Sequence, residues 1–147
     1  MRRLALASLL IAALLARADA ARAGAPQIQY MLHCQGCHLA DGSGSPQAVP
    51  ALRDFVGNFL RVPAGRQYLV QVPGSAQSPL SDAELAEVLN WMIREFGPAE
   101  IAATFEPFGA DEVARYRDPP LTDVESVRRE LLLAIDRERT GAHGERR

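Results

Sequence analysis

Apolar residues recur at helical spacing in several stretches of this chain, and no stretch alternates convincingly at strand spacing. The strongest pattern covers 81–96, where Leu85, Val88, Leu89, Met92, Ile93 and Phe96 share one face. Ser81 and Glu84 stand as a capping-box pair at its start, and Gly97 with Pro98 ends it. Shorter helices are expected over 26–38, over 53–60 with Phe55, Val56, Phe59 and Leu60, and over 65–72 with Tyr68, Leu69 and Val72 inward. Pro73 and Gly74 read as the stop of the last of these. A further short helix is expected over 111–117, broken by Pro119 and Pro120. Thr122 with Glu125 then suggests a second capping box, followed by an apolar stripe of Val124, Val127, Leu131 and Ile135. From Arg139 onward the chain reads as a frayed polar tail. No internal repeat is apparent, so the expected fold class is all-α, a small helical domain with extra C-terminal helices.

The first residues have a different character. Arg2 and Arg3 precede an apolar run over 4–15, and small residues follow, which is the order of a secretory signal peptide. Ala18-Asp19-Ala20 and Ala21-Arg22-Ala23 both offer cleavage sites, and the sequence does not choose between them. The rival is a membrane anchor, but a span needs ~20 apolar residues, and Arg17 interrupts this run too soon. Residues 1–23 are therefore expected to leave on export to the periplasm, with no membrane span remaining. Cleavage after Ala23 leaves 124 residues, enough for one core, with 12 basic and 17 acidic side chains. Such a balance argues against nucleic acid and is compatible with docking onto a basic patch of another protein. No Ser-His-Asp set, paired carboxylates or phosphate loop is present, so an electron-transfer protein is expected before an enzyme.

Cys34-Gln35-Gly36-Cys37-His38 carries the chemistry. Its spacing is that of c-type haem attachment. Two thiols about one helical turn apart can add to the two vinyl groups of one porphyrin. The histidine directly after the second cysteine then meets the iron from the same side. Other readings exist. A thioredoxin-like dithiol wants a preceding strand within a βαβ pattern, which is missing. A zinc site could recruit His33, Cys34, Cys37 and His38, but adjacent residues rarely converge tetrahedrally on one metal. A plain disulfide is the simplest rival in an exported chain.

With these residues in view, the chain resembles the class I cytochrome c family over about 26–96. The resemblance rests on the Cys34–His38 motif, Asp41-Gly42-Ser43-Gly44, Pro50-Ala51-Leu52, and Leu80-Ser81-Asp82-Ala83-Glu84-Leu85 leading to Asn90-Trp91. It implies one covalent haem c attached at Cys34 and Cys37, His38 as axial iron ligand, and first and last helices crossing beside the haem. It also implies that the Pro50 carbonyl accepts the other ring N–H of His38, fixing its orientation. An ordinary loop proline is the alternative for Pro50. Trp91 matches an aromatic that packs near the haem, or else lies on the helix surface. On this reading 24–97 form the haem domain and 98–147 a helical extension with a polar tail.

The family commonly places a methionine ligand just before the last helix, but here residues 72–80 contain neither methionine nor histidine. Met31 lies on the proximal side. Met92 is a possible sixth ligand that reads first as a core residue of the apolar stripe, and Gln77 is a weak oxygen candidate. His33 adjoins Cys34, and His143 lies in the tail. Five-coordinate iron is the third option. The leading functional expectation is a periplasmic monohaem carrier, or the cytochrome subunit of an exported redox system, working with redox partner proteins. The alternative is a haem-based module that binds or senses small ligands through an open or weakly ligated distal site. A third possibility makes the C-terminal stripe a docking element for another chain, against the plainer expectation that it packs back on the core. Oligomeric state is not indicated.

Overall fold

A computed structural model describes residues 26–46 and 48–144; the expected signal peptide and the last three residues lie outside them. Among the described residues the order is α1 (26–33), α2 (Gln35–His38), a 3₁₀ helix (Val56–Arg61), α3 (Pro63–Gln71), α4 (Pro73–Ala76), α5 (Asp82–Phe96), α6 (Ala99–Ala102), α7 (Ala110–Tyr116) and α8 (Val124–Gly144). No named strand forms, and the fold is all-α.

The expected capping box starts α5. The Glu84 N–H donates to Ser81 Oγ at 3.3 Å, and the Ser81 N–H donates to the Glu84 carboxylate at 2.8 Å. The six predicted apolar positions of α5 are all buried, Val88 and Ile93 completely. Burying an aliphatic or aromatic side chain stabilises by about 1.5–3 kcal/mol, so this face organises the core. α1 meets α5 through a three-ring cluster. Tyr30, 1% exposed, lies 5.0 Å from Trp91 and 5.3 Å from Phe96 between ring centroids. The Tyr30 hydroxyl donates to the Leu39 carbonyl at 2.7 Å, tying α1 to the turn after the cysteine motif. Gly42, at φ +71°, passes under Phe96, where a Cβ would stand 3.0 Å from the ring.

Some boundaries differ from the sequence-based expectation. The helix expected over 53–60 is a 3₁₀ helix that begins at Val56. α3 begins at Pro63, which serves as a first-turn residue where its missing N–H is harmless. Pro73 ends α3 as expected but opens α4 by the same device. α8 is capped by Asp123, whose Oδ1 accepts from the Ser126 N–H at 3.0 Å, and not by Thr122. α8 also runs past Arg139 to Gly144. Thr140 Oγ1 donates to the Asp136 carbonyl at 2.9 Å within those last turns.

The C-terminal part packs back. Phe108, Val113, Leu131 and Ile135 are buried in the same cluster as the α5 face. Polar contacts fix the docking. The buried Asn90 amide donates to the Phe108 carbonyl at 3.0 Å and accepts its N–H at 2.7 Å. Arg66 forks onto the Glu112 carboxylate at 2.7 and 2.6 Å and lies over the Phe108 ring. Arg117 donates to the carbonyls of Ala76, Ser78 and Leu80 and to the Asp82 carboxylate, all within 2.9 Å. The segment before α5 is therefore held by a residue from the extension. No helix among the described residues is long and apolar enough to cross a membrane.

Candidate haem site

One helical turn joins the motif. The amides of Cys37 and His38 donate to the Cys34 carbonyl at 3.2 and 3.0 Å. Both sulfurs are free thiols, Cys34 half-buried and Cys37 exposed. Burial, aided by Cys37, pushes the Cys34 thiol up to about 11, so it stays neutral near pH 7 and is slow to enter disulfide exchange.

The loop after the motif aims His38. Gly44, at φ +67°, donates its N–H to the His38 carbonyl at 3.1 Å. A Cβ there would run into the carbonyl oxygens of Val49 and Pro50. Ser45 and Val49 then pair antiparallel, closing the loop and bringing Pro50 back to the histidine. His38 Nδ1 lies 3.2 Å from the Pro50 carbonyl oxygen. A carbonyl oxygen only accepts, so Nδ1 carries the hydrogen and Nε2 presents a free lone pair. Burial holds the imidazole below its ordinary pKa, with the Pro50 bond opposing. The neutral ring that a metal requires is therefore the form present at pH 7.

These groups border a cavity of about 1010 Å³, at the upper end of the range for cofactor sites. Leu52, Val56, Phe59, Tyr68 and Leu69 line one part, and Leu80, Leu85, Val88, Leu89 and Met92 another. α8 supplies Val124, Leu132 and Leu133 with Glu125, Arg128, Arg129 and Asp136. Two free thiols one turn apart, an imidazole with Nε2 available and a large apolar chamber fit a haem.

The structure thus brings Cys34, Cys37, His38, Pro50 and Met92 around one cavity. Met92 is 8% exposed. Gln77 is exposed and does not line the cavity, where the loop contributes Ser75 and Ser78 instead. Trp91 packs between Tyr30 and Phe96 and is not part of the wall. His33 lies exposed at the rim. Among the described residues no three or more His, Cys, Asp or Glu side chains converge on a metal, so the zinc arrangement does not form. Sequence reasoning missed α8 as a wall. The signal was present in Leu132 and Leu133, which widen the apolar face beyond the single stripe.

No protein-family model matches the chain. The chain is 35% identical to cytochrome c-552 of a Thermus thermophilus strain over 141 aligned residues, spanning 83% of this chain and 90% of the relative. It is also 35% identical to a second Thermus thermophilus cytochrome c-552 over 107 residues, spanning 60% of this chain and 82% of that one. A match spanning 83% of the chain includes the cysteine motif and runs into the C-terminal region. With the attachment motif, the oriented histidine and the apolar chamber, it places the chain in the c-type cytochrome family, electron carriers with covalently bound haem c.

Proposed function

We propose that this cytochrome is an exported, periplasmic one-electron carrier, or the cytochrome subunit of an exported redox system, with its haem joined to Cys34 and Cys37. The observation that carries the site assignment is the His38–Pro50 hydrogen bond, which commits Nδ1 and leaves Nε2 to the iron. When bound, the haem supplies one-electron chemistry by cycling its iron between ferrous and ferric forms. The cysteines hold the cofactor at a fixed edge, and Pro50 fixes the ring that grips it. The apolar walls exclude water and so tune the potential. Cys37 is exposed, so the attached edge reaches solvent, where a redox partner docks. Absorption spectra of the purified protein in both redox states test this reading. The expected result is a reversible c-type spectrum whose pigment survives acid-acetone, and its loss in a Cys34→Ser/Cys37→Ser variant. Pigment stripped cleanly from the parent polypeptide overturns the attachment.

A second reading, small-ligand binding at the distal side, draws on residues 72–80, which bring Ser75 and Ser78 to the cavity but neither thioether nor imidazole. Carbon monoxide added to the reduced protein separates the two. Rapid, complete binding favours an open sixth position. No binding in the parent, with binding in Met92→Leu, assigns the sixth position to Met92 and favours the carrier.

A further inference from the structure

Arg128 projects from α8 into the cavity wall and is half-buried. Among the described residues its guanidinium has neither a hydrogen bond nor an ion pair. Two carboxylates of the same helix, Glu125 and Asp136, line the cavity, yet neither pairs with it. Its neighbour Arg129 is exposed and donates to Ser126 Oγ at 3.4 Å. Across the chamber wall stands Tyr68, 6% exposed and stacked on Phe59 at 4.7 Å. The Tyr68 hydroxyl also has no hydrogen-bond partner among the described residues. Burial raises its pKa, and the charge of Arg128 pulls it back down, so the two groups share one electrostatic neighbourhood.

A guanidinium half out of water and a buried phenol, neither of them paired, on the wall of a mainly apolar chamber, call for an acceptor that the two lining carboxylates of α8 do not supply. Partial desolvation of an unpaired cation is unfavourable, and a carboxylate received in the fork of an arginine removes the penalty with geometric specificity. A haem carries such groups in its propionates. We propose that Arg128, with the Tyr68 hydroxyl, binds a haem propionate, so that α8 recognises the cofactor at the opposite end of the chain from its covalent anchor. This assignment rests on the haem reading of the cavity.

The test is the reduction potential of the full-length holoprotein as a function of pH, for the parent and for Arg128→Gln, Arg128→Lys and Arg129→Gln. Other charged or titratable groups facing the cavity are His33 and His38 at the motif, Tyr68 on α3, and Glu125, Arg129 and Asp136 on α8. These are common to the parent and both Arg128 variants, so their contributions cancel in the difference between curves. Pairing with arginine depresses a carboxyl pKa by 1–3 units. Arg128→Gln is expected to raise the propionate transition by about 1 pH unit or more and to lower the potential near neutrality, because a cation beside the iron is lost. Arg128→Lys restores most of both effects, and Arg129→Gln leaves the curve in place. An Arg128→Gln curve that superposes on the parent, or an equal shift from Arg129→Gln, overturns the assignment. The absorption spectrum keeps the two readings apart. A colourless parent defeats the haem reading itself, whereas coloured variants with unmoved potentials defeat only the role of Arg128.

Discussion

At Asn90 one buried side-chain amide answers both the N–H and the carbonyl of Phe108. Leucine at this position leaves two buried backbone groups unpaired, each costing about 1–3 kcal/mol. Asn90→Leu is expected to lose roughly 2–4 kcal/mol in urea denaturation; a loss within experimental scatter would show that the pair carries no weight. Tyr30 gives a pH prediction at the same scale. Its hydroxyl is pushed up to about 12, first by burial, with Cys34, while its thiol is free, and Asp41 adding to it. The folded state therefore holds this proton more tightly than an unfolded chain, whose phenol titrates near pH ~10. The resulting stability is fully present below the unfolded value and is lost as pH rises toward the folded one. Tyr30→Phe should flatten that alkaline limb, measured as melting temperature against pH. The two residues also mark what was legible. Cys34 to His38 spell their chemistry in five consecutive letters, whereas nothing near Asn90 announces a partner 18 positions away.

Among elements, α5 was readable because its cap, stripe and stop all act within a few residues. The start of α8 was harder. Thr122 and Asp123 are both capping residue types, and only the backbone decides which oxygen meets an orphan N–H. α4 was missed because a proline that ends one helix can equally open the next. Arg117, the residue that shapes the segment leading into α5, lies in the extension, and its four acceptors become visible only when the chain is folded. Arg117→Met retains much of the stem and removes those donors. The expected loss is about 3 kcal/mol in chemical denaturation, together with faster hydrogen exchange over 76–82. An unchanged exchange pattern would mean that this segment holds its shape without the guanidinium. Ile135, 1% exposed on α8, tests the docking of that helix. Ile135→Ala should cost about 2–5 kcal/mol, in the same single transition that reports the haem chamber.

For the molecule as a whole, the resemblance anticipated first and last helices packed across each other beside a haem, and the Tyr30–Trp91–Phe96 cluster packs α1 against α5. It did not anticipate that a chain lacking the usual methionine would bring a 21-residue helix to the chamber. Periodicity says that such a helix must cover something, not what it covers. The position of α8 sets an order of events. A polypeptide made from its amino end presents the anchoring thiols long before the wall that shelters them has been synthesised. Until that helix docks, the remaining elements form an open half-shell, and its arrival shuts the shell. A chain stopped after Pro120 should accordingly keep its colour but surrender electrons to ferricyanide much faster than the full-length protein, its reactive face bared to water.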